Sequence, residues 1–171
     1  MTEVSALPER RRIPPIVYPR FADPRLVQIG ILASFTVLGQ VVLGFEVSWL
    51  QIGVAILSVC LLDLLLSYRR SGTVVLPASG LISGLSLALL LPAPELWPFL
   101  VAALVTVLAK HLLRVQGRHV FNPSNFGLVV VLALPWAGGR VAPSQWGKSW
   151  VLLFLIANLG FFLIYKVRRG L

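Results

Sequence analysis

The chain has 171 residues, of which 57% are apolar and 12% charged, and a net charge of +9. A mean hydropathy of +0.88 cannot be accommodated in one small soluble core, so lipid is the expected solvent for most of the chain. The basic residues fall between apolar runs rather than along them, which argues against nucleic acid as a partner, and the single Cys60 excludes an internal disulfide.

Residues 1–25 place Arg10, Arg11, Arg12, Arg20 and Arg25 among Pro8, Pro14, Pro15, Pro19 and Pro24, which prevents a regular helix. This predicts a basic, extended arm lying on anionic lipid or on a partner protein of the membrane. The apolar stretch that should follow the basic region of a cleavable signal peptide is absent. Residues 26–171 form the predicted membrane domain, with spans at 26–45, 48–67, 79–91, 96–114, 124–136 and 149–166. The expected fold is all-α: a polytopic integral membrane protein of about six transmembrane helices.

The connections alternate in charge. Thirteen of the fifteen basic residues fall in the arm, at Arg69 and Arg70, at Lys110, Arg114 and Arg118, and at Lys166, Arg168 and Arg169, leaving only Arg140 and Lys148 for the other side. Positive residues are retained in the cytoplasm during insertion, which puts both termini and the 68–78 and 115–123 loops inside. Trp49, Trp97, Trp136, Trp146 and Trp150 then cluster near the outer ends of spans, where an indole buries its ring and keeps its N–H wet.

The third and fifth spans are short and discontinuous. Ser79–Leu91 and Ser124–Trp136 are each about 13 residues, roughly 20 Å of helix against a hydrocarbon core of roughly 30 Å. The preceding segments, 73–78 and 119–123, dip into the membrane as irregular chain, which must be shielded by protein or line a cavity. Asn122 is a natural N-cap and Pro123 a natural first helical residue. Broken helices that aim their N-termini into a cavity bind anions or carbonyl oxygens; two short helices at a packed interface would read the same.

Other polar residues are fewer. Asp63, within Leu61–Leu66, costs about 2.5–3.5 kcal/mol at a span centre and calls for a partner. Arg69 or Arg70 at the interface would serve, as would Lys110 or the Asn122–Asn125 turn in a polar network or proton site. His111 and His119, the only histidines, do not specify a metal. Gly80 and Gly84 make a small-x-x-x-small face for close helix contact, and Asn158 in the last span is expected to bond to a neighbouring helix.

The stretch Ser79-Gly80-Leu81-Ile82-Ser83-Gly84-Leu85-Ser86, a further span ending in Lys110, and Gly117-Arg118-His119-Val120-Phe121-Asn122-Pro123-Ser124-Asn125-Phe126-Gly127 resemble the Rnf D/Nqr B family of membrane proteins, with its enediyne-associated relatives. The likeness covers roughly residues 50–135, the first half of the family fold. It implies a component of an ion-coupled electron-transport complex in the bacterial cytoplasmic membrane, associated with other membrane subunits and carrying flavin. In that family FMN is esterified to a Thr well downstream of the Phe-Asn-Pro turn, and no Thr follows Pro123 here, so covalent FMN is not expected. The resemblance leaves three classes of function: a redox component holding non-covalent flavin or quinone near Ser79, Gly80, Asn122, Ser124 and Asn125 with help from Lys110, Arg114 and His119; a non-catalytic scaffold; and half of a small-solute or ion transporter.

Overall fold

The computed structural model describes residues 16–17, 23–116 and 118–169. The described chain is mostly helical. Six helices, α1 (Pro24–Val41), α2 (Trp49–Ser71), α3 (Ala78–Leu90), α4 (Trp97–Leu112), α5 (Pro123–Leu132) and α6 (Trp150–Arg169), follow one another with short connections. Two of them, α1 and α2, are long and apolar enough to cross a membrane.

Local chemistry sets the boundaries. Asp23 accepts from the Arg25 amide and Pro24 opens α1, whereas α2 opens on a reciprocal capping box between Ser48 and Gln51. Gly72, at φ 65°, closes α2 in the left-handed conformation four residues beyond the expected end. Helix α5 is shorter than its sequence suggests, with 10 residues, because Pro135 cannot continue it and Pro135–Ala137 turns as a short 3-10 helix.

The segments ahead of the two short helices are more ordered than irregular chain. Val74–Val75 (β2) pairs in parallel with Ile16–Val17 (β1) of the N-terminal arm. Arg114–Val115 (β3) and Arg118–His119 (β4) form a small antiparallel hairpin. Residues 1–15 and 18–22 of the basic arm lie outside the described residues, and its last two, Pro24 and Arg25, open α1 and do not continue the arm as predicted.

Helix α3 occupies the middle, packed on α1, α2, α4 and α5, while α6 rests on α1. The core joins Val47, Ile52, Ala55 and Val59 to Leu87, Leu91, Phe99, Ala103, Val107, Leu128 and Val131. Two glycines permit the closest crossings. A Cβ on Gly84 would stand 2.7 Å from Ile56 Cα, and one on Gly127 would overlap Thr106 and the Ala102 carbonyl. Polar ties gather at the end where α2 begins: Gln51 donates to the Ala93 carbonyl at 2.8 Å, Gln145 to the Leu89 carbonyl at 2.9 Å, and Arg140 pairs with Glu46.

The distribution of polarity is unusual for a bundle in water. Asp63, Gln51, Ser83, Thr106 and Ser124 are buried, while Leu57, Leu61 and Leu65 on α2 and Leu100, Leu104, Leu108 and Leu112 on α4 are exposed. Each set of leucines recurs every four residues, so it forms a continuous stripe along its helix.

Candidate functional site

Asp63 projects inward from the last third of α2 and is only 3% exposed. Lys110, in the last turn of α4, donates to Asp63 Oδ2 at 2.5 Å and to Ser79 Oγ, at the start of α3, at 2.5 Å. His111 Nε2 lies 3.0 Å from Asp63 Oδ1. Each oxygen of the carboxylate is thus engaged by a different side chain of α4, and Lys110 ties α4 to α2 through Asp63 and to α3 through Ser79. Gly80 lets α3 approach closely here, since a Cβ there would stand 3.2 Å from Pro77 Cβ and 3.3 Å from Asp63 Oδ2.

This corrects one of the two sequence expectations for Asp63. Arg69 and Arg70 do not pair with it; they lie about 10 Å further along the same helix, are exposed, and Lys110 arrives from α4 at the level of the carboxylate. Asn158 is corrected as well: its side-chain amide donates to the Phe154 carbonyl of its own helix at 2.7 Å, not to a neighbour.

Lys110 and Ser79 also form one wall of a cleft of about 540 Å³. The opposite wall is the turn into α5, with His119, Val120, Phe121, Asn122, Pro123 and Ser124, and Arg25 and Gln28 of α1 complete it. Asn122 Oδ1 caps α5 by accepting from the Ser124 amide at 3.2 Å and from the Ser124 hydroxyl at 2.8 Å. Both short helices therefore begin at this cleft, and their first amides add positive potential to it. Loss of hydration, followed by the charges of Arg114, Lys110 and His111, holds the His119 imidazole below its ordinary value. His119 is therefore mostly neutral near pH 7 and can donate or accept.

Of the residues that the sequence singles out for ligand binding, Ser79, Lys110, His119, Asn122 and Ser124 come together on the cleft. Three do not line it. Gly80 faces α2, Arg114 turns back to donate to the Lys110 carbonyl at 2.9 Å, and Asn125 is exposed on the first turn of α5. The structure adds Arg25, Gln28, Ser83 and Ser86 to the wall. The serines were visible in the sequence as a stripe, since positions 79, 83 and 86 share one face of a helix, with Gly80 and Gly84 on another. Arg25 and Gln28 left no such signal, because their proximity depends on how α1 packs against α3.

Comparison with protein-family models, with curated proteins and with solved structures gives no match.

Proposed function

We propose that the chain is a six-span membrane protein with both termini in the cytoplasm, working within a larger complex, and that its cytoplasm-facing cleft holds a small carbonyl-bearing cofactor, a non-covalent flavin or a quinone. The observation that carries the reading is the convergence of Lys110, Ser79 and the N-termini of α3 and α5 on one cleft at the basic end of a bundle whose outer faces are leucine. Lipid is the solvent that accepts exposed Leu61 and Leu65 on either side of a buried Asp63.

The cleft fits such a group in size and in chemistry. Its volume of about 540 Å³ falls within the range of small-molecule sites. Lys110, Ser79, Asn122 and Gln28 offer donors to carbonyl oxygens on two sides, and Phe121, stacked on Phe126 at 5.8 Å, brings an aromatic ring to the mouth. Arg25 would meet a flavin phosphate. When bound, the cofactor supplies reversible electron transfer; the chain binds and orients it and keeps a charged donor, Lys110, against it. The likeness of residues 79–92 and 117–127 to the Rnf D/Nqr B family supports this assignment, and the lack of Thr beyond Pro123 makes the attachment non-covalent.

The test is the absorption spectrum of gently purified protein, with solvent extraction for quinone. A flavin band or an extracted quinone in stoichiometric amount is expected, and Lys110→Met should reduce its retention. A colourless, quinone-free preparation from the native membrane would overturn the cofactor reading in favour of a scaffold, for which the largely uncovered apolar surface of α6, including Phe154, Phe161 and Ile164, gives independent support.

A further inference from the structure

A second cleft, of about 430 Å³, lies between the last turns of α2 and α4 and is lined by Leu66, Arg69, Arg70, His111 and Leu112. It is separate from the cofactor cleft and shares no lining residue with it. Arg69 and Arg70 make no ion pair or hydrogen bond to any other described residue. His111 is fixed on one side by Asp63 at 3.0 Å, which leaves its second ring nitrogen uncommitted among the described residues.

We infer that this cleft binds the phosphate of an anionic phospholipid. Two arginines from the last turn of α2 and a histidine from the last turn of α4 line the one cleft, a donor set suited to phosphate oxygens. The apolar rim argues for a lipid over a free phosphate. Leu112 is 72% exposed at the edge of the cleft, and below it run exposed Leu104 and Leu108 on α4 and Leu61 and Leu65 on α2. A lipid phosphate seated in the cleft would have its acyl chains running along these stripes, within the lipid that the membrane reading already places there. Basic pockets between helices at the cytoplasmic surface take lipid headgroups for the same reason. Asp63 then has two dependants: Lys110 toward the cofactor cleft and His111 toward the lipid.

The inference rests on the membrane reading and is tested separately from it. The full chain is reconstituted in nanodiscs of phosphatidylcholine with or without a minority of phosphatidylglycerol, and lipid retained after mild detergent release is counted by native mass spectrometry. Wild-type protein should keep phosphatidylglycerol and unfold at a higher temperature in its presence, and added inorganic phosphate should not displace the lipid. Each arginine should contribute roughly fivefold in affinity, so the double variant Arg69→Gln, Arg70→Gln should lose retention and the thermal gain together. Leu112→Asp, on an exposed position that leaves the fold intact, should do the same by placing a like charge at the phosphate. Arg140→Gln with Lys148→Gln, at the other end of the bundle, should retain the lipid. Equal retention in wild type and the arginine variant, or displacement by phosphate, would overturn the lipid site alone. Failure of the chain to enter nanodiscs would overturn the membrane reading and the site with it.

Discussion

Lys110 on α4 and Asp63 on α2 meet at 2.5 Å on the inner faces of helices whose outer faces carry leucine. The carboxylate is satisfied on both oxygens, by Lys110 and by His111, and this makes its burial tolerable. The same pair fixes the lysine that lines the cleft with Ser79 and Asn122, so one contact both neutralises a buried charge and shapes the cleft wall.

Removing one partner should cost more than removing both. Asp63→Leu leaves the Lys110 ammonium without its counter-charge, and a broken buried pair typically costs about 3–5 kcal/mol. The double variant Asp63→Leu, Lys110→Met should recover most of that loss. Thermal unfolding in a fixed detergent, run as a double-mutant cycle, measures the coupling. Additive losses would show that the two charges are solvated independently.

The glycine crossings give a second prediction. Gly127→Ala places a methyl group against Thr106 and the Ala102 backbone and should destabilise by about 1–3 kcal/mol. Gly30→Ala, where no atom lies within 4 Å, should be neutral or stabilising by about 0.5–1 kcal/mol. Thr106→Val should also be close to neutral, because the buried Thr106 hydroxyl has no hydrogen-bond partner among the described residues and its removal leaves nothing further unsatisfied. Equal melting temperatures for Gly127→Ala and Gly30→Ala would contradict the close approach of α4 and α5.

Much of this was legible in the sequence because the deciding signals are local. Hydropathy located all six helices, and the Asn122-Pro123 pair located the start of α5 from capping chemistry alone. Where a long-range choice was involved, the sequence was weaker. Asp63 had several basic residues within reach along the chain, and nothing in the order of residues says which helix α2 faces; the packing of α4 on α2 decides it by bringing Lys110 to the level of the carboxylate. The strand pairing of Ile16–Val17 with Val74–Val75 is equally invisible, being two residues long on each side. The second cleft was hidden for another reason: Arg69 and Arg70 carry the same signal as any basic residues at the end of an apolar helix.

Asn122→Leu should destabilise by about 1 kcal/mol or more. It removes the cap from α5 and strands the buried Ser124 hydroxyl, whose acceptor is Asn122 Oδ1 at 2.8 Å. Asn122→Asp keeps an acceptor oxygen at the cap and should keep stability near wild type. Comparison of the two melting temperatures checks this, and an unchanged value for Asn122→Leu would mean that the turn is held by Pro123 alone.

Charge asymmetry predicts the orientation. In a Cys60→Ser background, Lys148→Cys should react with an impermeant thiol reagent added to intact cells, and Ser71→Cys should react only after permeabilisation. Both positions are exposed, so accessibility is set by the side of the membrane and not by burial. The opposite pattern would reverse the orientation and place the cleft between Lys110 and Asn122 outside.

The final prediction is that the chain works with a different membrane protein. Helix α5, with 10 residues, rises only about 15 Å, so the chain leading into it must lie at depth. That chain is apolar and exposed at Leu113, Val115, Val120 and Phe121, as is Leu76 before α3. Its backbone is only partly paired: the small hairpin is two residues long on each strand, and Val120 reaches the Leu113 carbonyl at 3.4 Å. Lipid cannot satisfy the remaining polar groups, and water does not favour the valines, so another protein surface should cover the segment. If the two halves of the resembling fold are inverted relative to one another, a second copy of this chain, which inserts in the same orientation, cannot supply the other half. Purification in mild detergent should therefore recover the chain in stoichiometric complex with at least one other membrane protein, and Val115→Asp should weaken that complex while leaving the fold of the isolated chain unchanged. Recovery from the native membrane as a stable, monodisperse monomer would refute the prediction and favour a self-sufficient small transporter.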